Sequence, residues 1–211
     1  ELAAGEETSQ EGLALDYATA WSYGRAESWN LLIPDFMGGD SGRAFTRDGE
    51  MAKALKPYGL EGFAEQLPAY WGEQPYTAGP TYLGAAALFL ALLGLLLASG
   101  RNKWWIAAVS LLTLLLAWGH NFMGFTEFAF KYLPGYNKFR TVSMALVVVE
   151  WTVPLLAALA LMPLWRGEVP RRKLLRALAW AGGITGGFCL LFAVAGSAIF
   201  DLSLIHISEP T

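Results

Sequence analysis

Lys138 and Arg140 flank Phe139 immediately before an apolar run, Thr141–Trp165, whose only charge is Glu150. Two cations at such a mouth, close to Lys131, Tyr132 and Tyr136, suit a lipid phosphate. A guanidinium grips phosphate oxygens in a fork, and an ammonium adds a point charge. The competing reading is ordinary snorkelling to lipid headgroups. Glu150 falls about ten residues into the run, roughly 15 Å deep at helical rise. A lone carboxylate at that depth costs on the order of a few kcal/mol in lipid. It is therefore expected to face neighbouring helices, either as a proton or substrate contact or in an interhelical hydrogen bond aided by Pro154.

A second group precedes the cations. His120, Asn121 and Glu127 share the aromatic stretch 119–140. His120 beside Glu127 could act as a base or hold a metal; the alternative is a structural histidine. One histidine and one carboxylate are too few to argue for a metal site. No cofactor is expected, and a divalent metal is left open. A third group, Trp71, Gln74 and Tyr76, sets aromatics among carboxamides and carboxylates, as do Trp21, Glu27 and Trp29 upstream. Sugar sites use that mixture, and so does an interfacial aromatic belt. The single cysteine, Cys189, rules out an internal disulfide or a thiolate cage. No nucleophile elbow, zinc signature, phosphate loop or dinucleotide fingerprint occurs.

The elements that must position these residues are all-α. Four runs are predicted to span a bilayer as a polytopic helix bundle: 80–99, 104–118, 141–165 and 174–200, judged against roughly 20 apolar residues per crossing. Pro80 is expected in the first turn of the first helix. The tract Gly182–Gly187 is expected to permit close helix approach. A chain 55% hydrophobic and 16% charged agrees with a membrane class. Arg101 and Lys103 sit between the first two runs, and Arg166, Arg171, Arg172, Lys173 and Arg176 between the last two. By the positive-inside rule both connections face the cytoplasm, so residues 1–79 and 119–140 are extracytoplasmic.

Residues 1–79 form a soluble segment with 13 acidic and 5 basic side chains. Ala14–Leu32 reads as helix then turn, Pro34–Gly42 as a loop, and Met51–Leu67 as short amphipathic helices broken at Pro57–Gly59. The bundle occupies 80–201. Residues 202–211, LSLIHISEPT, resemble translated sequencing-library adapter and read as a non-native tail. With no initiator methionine or signal peptide at its start, the chain reads as an internal fragment.

Four stretches, WSYGRAESWNLLIPDFMGGDSG (21–42), YWGEQPYTAGPTYLGA (70–85), LLAWGHNFMGFTEFAFKYLPGYNKFRTVS (115–143) and LVVVEWTVPLLAALAL (146–161), together resemble the middle of YfhO-like bacterial membrane proteins. These are similar to GT-C glycosyltransferases. The resemblance implies a multi-pass protein of the bacterial cytoplasmic membrane that transfers sugar from a polyprenyl-phosphate donor to a cell-envelope polymer. It implies donor-phosphate contacts at Lys138 and Arg140, substrate or lid roles for Trp71, Gln74, Tyr76, His120, Asn121 and Asn137, and an intramembrane role for Glu150. The catalytic carboxylate of that class lies in an earlier outer loop, so no catalytic residue is assigned here. Membrane lipid is a further expected partner, and nucleic acid is not one. The rival functions are a transporter or flippase of lipid-linked sugars, with Glu150 coupling to protons, and a structural envelope protein.

Overall fold

The computed structural model describes residues 13–45 and 49–199, and the regular structure within them is helical. The expected tail at 202–211 and Phe200, the last residue of the fourth run, lie outside the described residues. The α-helices are α1 (Leu15–Thr19), α2 (Glu50–Leu55), α3 (Ala85–Leu97), α4 (Asn102–Ala117), α5 (Met123–Tyr132), α6 (Leu146–Trp165) and α7 (Arg171–Ile199). Short 3-10 turns join several of them.

Helices α3, α4, α6 and α7 make the bundle. α6 is central, with α3 and α4 packed on it, while α7 leans on α3. At one end Leu97, Leu164 and Leu174 share an apolar cluster; towards the other, Leu83 and Leu146 pack with Tyr23 and Leu31. α3 and α6 therefore run in the same direction, and both basic connections emerge at the same end.

Two helices, Val142–Trp165 and Arg171–Val194, are long and apolar enough to cross a membrane. α4 and α5, bent by 112°, reach that length and apolarity only when counted as one span. The first predicted span, 80–99, is thus shorter than expected, with 13 residues in α3, while α4, with 16, matches the short second run at 104–118. Long-range hydrogen bonds set the start of α3. The Leu83 and Gly84 amides both donate to the Leu31 carbonyl (3.3 and 3.1 Å), and Gly84 has φ +96°. Pro80 accordingly lies outside the helix. At the far end, Lys103 Nζ donates to the Leu95 carbonyl at 2.7 Å, a cation on the open carbonyls of a helix C-terminus.

Helices α3 and α6 approach closely at Gly94, where a Cβ would overlap the Leu156 carbonyl. The glycine tract of α7 does not play that part. Gly182 only approaches Phe89, and a Cβ at Gly183, Gly186 or Gly187 would meet open space. Between α4 and α6, Ser110 Oγ donates to Thr152 Oγ1 at 2.6 Å.

Residues 119–140, expected as a loop, contain α5. Gly119 takes φ +48° with Ser22 and Val142 against it, and the chain turns sharply there. Thr126 Oγ1 then donates to the Gly119 carbonyl at 2.7 Å, and Ala129 packs with Leu116, Tyr136 and Val142. Aromatics at 122, 125, 128, 130 and 132 blur the helical period that would have shown α5 in the sequence.

The segment before α3 follows its predicted outline. α1 leads to a 3-10 turn at Ala26–Leu31, and α2 continues through 3-10 turns broken at Gly59 (φ +67°). Met51, Ala52, Leu55 and Ala64 form its small core. Isolated bridges pair Gly38 with Tyr70 and Ala44 with Pro68, and no strand forms among the described residues.

Candidate functional site

The mouth of α6 is the first candidate. A 3-10 turn at Tyr136–Lys138 follows Gly135 (φ +81°) and leaves Lys138, Phe139 and Arg140 exposed. The Arg140 guanidinium lies over the Tyr17 ring at 5.5 Å, which orients it without consuming its donors. Tyr136 is buried, and its hydroxyl donates to the Leu116 carbonyl at 2.9 Å. Burial pushes that phenol up to about 12. Asn137 accepts a hydrogen bond from the Leu13 amide through its carbonyl, at 3.0 Å. Beside the cations an apolar crevice of about 250 Å³ runs between α4 and α6, lined by Leu116, Leu133, Phe139, Met144 and Val148 among others.

The second group is brought together, but as a joint. His120 donates its amide to Ser22 Oγ at 2.9 Å, and its Nδ1 lies 3.2 Å from the Thr19 carbonyl. Asn121 Nδ2 donates to the Tyr23 carbonyl at 3.1 Å, and the Asn121 carbonyl accepts from Arg25 Nη2. The Tyr23 amide donates to the Ala117 carbonyl at 2.8 Å, and Trp118 Nε1 to Ser28 Oγ at 2.9 Å. These bonds tie the segment before α3 to the end of α4. Glu127 is exposed, and no hydrogen bond or ion pair joins it to His120 among the described residues. No group of three or more metal-ligating side chains converges among them either.

The third group sits on a buried carboxylate that sequence reasoning left unassigned. Glu27 is 1% exposed. Its carboxylate accepts from the Gly24 amide at 2.5 Å and from the Tyr70 hydroxyl. The Tyr70 oxygen in turn accepts from the Gln74 amide at 3.0 Å. A Cβ at Gly24 or Gly72 would press on the Glu27 carboxylate. Burial, reinforced by Glu27, drives the phenols of Tyr23 and Tyr70 well above the ordinary range. The spacing Gly24–Glu27 offered one cue, since a glutamate reaching back three residues to an amide is half of a capping box. Trp71 and Tyr76 are exposed on this platform, and Trp71 stacks with Phe45 at 6.4 Å.

Glu150 departs from expectation. It lies on the exposed face of α6 with Val147 and Trp151, not against the bundle. The interior of the helix pair is taken instead by Val149, Val153 and Leu156, with Thr152 meeting Ser110. The run's uniform apolarity concealed which face was inner.

Comparison of the chain with protein-family models, with curated proteins and with solved structures finds no match.

Proposed function

We propose that the chain is part of a membrane glycosyltransferase acting on a polyprenyl-phosphate sugar at the outer face of a bacterial cytoplasmic membrane. In this reading α3, α4, α6 and α7 all cross the bilayer, the two short ones aided by local thinning and by exposed Trp104 and Trp105. The clustering of both basic connections at one end supports a cytoplasmic assignment for that end. The outer segment and α5 then lie outside, and a cell-envelope polymer is the acceptor.

One observation carries the reading: exposed Lys138 and Arg140 stand beside an apolar crevice that leads between α4 and α6. Such an arrangement suits a ligand with an anionic head and an isoprenoid tail. In transfer, the bond from the sugar's anomeric carbon to the phosphate oxygen breaks and a bond to an acceptor hydroxyl forms. The negative charge that grows on the departing phosphate is where cations act. Lys138 and Arg140 take that role. The base that receives the hydroxyl proton is assigned to no residue of this chain.

Arg140→Ala in the whole protein is expected to lower transfer of lipid-linked sugar at least tenfold, with membrane insertion unchanged. Tyr17→Leu removes the ring beneath the guanidinium but keeps its charge, and should retain most activity. Transfer measured with defined polyprenyl-phosphate sugar in proteoliposomes decides; full activity of Arg140→Ala removes the assignment.

A further inference from the structure

A second cavity lies where the segment before α3 meets α3 and α7. It encloses about 480 Å³, within the range of small-ligand sites. Its walls are Leu32, Phe36, Ala85, Cys189 and Phe192; Trp71, Tyr82 and Asp35 form its more exposed rim. Among the described residues no lysine, arginine or histidine lines it.

Asp35 is the informative member. It is the only non-glycine residue with positive φ among the described residues, at +52°. Aspartate tolerates that left-handed region better than most side chains, yet it still has a cost. The turn is fixed on three sides. The Gly38 amide donates to the Asp35 carbonyl at 2.9 Å, the Met37 amide donates to Asn30 Oδ1 at 3.1 Å, and buried Phe36 packs on Phe192 at 5.1 Å. No hydrogen bond or ion pair engages the Asp35 carboxylate among the described residues. An acceptor is thus held at the lip of an apolar cavity that two half-exposed aromatic rings, Trp71 and Tyr82, also line.

We propose that this cavity binds an amphiphile with a primary ammonium head, such as an aminophospholipid. The ammonium meets the Asp35 carboxylate and the faces of Trp71 and Tyr82, a combination of ion pair and cation–π contact. The tail lies on Phe36, Cys189 and Phe192. An anionic head is disfavoured by Asp35 and finds no cation in the lining. The inference rests on the membrane assignment of α7 and is independent of sugar transfer.

The test uses the purified whole protein and native mass spectrometry after exchange into equimolar phosphatidylethanolamine and phosphatidylglycerol. Preferential retention of phosphatidylethanolamine is expected, with up to about a fivefold loss in Asp35→Asn, the size of one exposed ion pair, the aromatic contacts remaining in place. Asparagine accepts the same backbone conformation, so the variant keeps the turn. Phe192→Ala should weaken retention of the lipid by shortening the wall. Equal retention of the two lipids, or an unaltered preference in Asp35→Asn, overturns the proposal. Equally tight binding of chain-free glycerophosphoethanolamine overturns the lipid assignment. Because neither Asp35 nor Phe192 touches the Lys138–Arg140 mouth, intact sugar transfer in both variants separates this outcome from the fate of the transfer reading.

Discussion

The outer segment and the helix bundle solve the same problem, holding short elements in place, by opposite means. Before α3 the helices have only 5 or 6 residues, too short to persist alone. They are fixed by polar bonds that converge on buried groups: Glu27 on Gly24 and Tyr70, Ser22 under His120, Asn30 on Met37. In the bundle polar ties are sparse, and order comes from close contact of small residues, with Gly94, Ala160 and Ala181 at the seams. On the proposed membrane reading, the surrounding solvent explains the contrast. In lipid, apolar burial supplies no net drive between helices, so fit dominates. Outside, a directional bond shielded from water fixes geometry that a small core cannot.

The comparison breaks most visibly at Gly94. Valine there drives a side chain into the Leu156 backbone, and α3 has to leave α6. A loss on the order of 4 kcal/mol is expected, above the usual overpacking cost because the obstacle is main chain. Thermal unfolding in detergent would show the bundle failing as a unit; an unchanged midpoint would mean that packing at this seam is dispensable.

A smaller and more local effect is expected at Glu27. Leucine strands the Gly24 amide and the Tyr70 hydroxyl, costing about 2 kcal/mol. Limited proteolysis should open residues 20–75 while α6 and α7 stay protected, and Glu27→Gln should recover part of the loss. Simultaneous collapse of the bundle would contradict the division drawn here.

The mildest test is alkaline. Tyr23 and Tyr70 hold their protons more tightly folded than unfolded, because burial penalises the phenolate. Stability of the segment is therefore unaffected below about pH 10, where an unfolded tyrosine begins to ionise, and falls as pH rises beyond it. Tyrosinate absorbance tracked against proteolysis should show the outer segment loosening first. A pH-independent cleavage rate up to pH 12 would argue against both phenols being held by this network.

How much of this was legible in the sequence followed from how local the cause was. α6 and α7 were plain because a long apolar run is its own signal, and the exposed Lys138–Arg140 pair was plain because its two cations are near neighbours in the chain. The start of α3 was hidden, since the Leu31 carbonyl that stops the helix lies some fifty residues upstream. Glu27 was read only as one polar group among aromatics, because Tyr70 and Gly72, which bury it, come from far along the chain. The face of Glu150 was misread for a different reason: α6 is apolar on every side, so periodicity carried no direction.

The aromatic contacts of α7 have one more effect. Trp29 meets Phe188 and Phe192 at 5.0 and 4.7 Å, and these rings, with Phe36, join the segment before α3 to that helix. Ring stacking has no fixed donor or acceptor and survives a slide of an ångström or two, whereas the bonds at Ser22, Tyr23 and Asn121 do not. The segment is thus riveted to α4 and greased against α7. Tilting of α7 in a thicker or thinner bilayer would shear the Asp35 cavity while leaving the rivets whole.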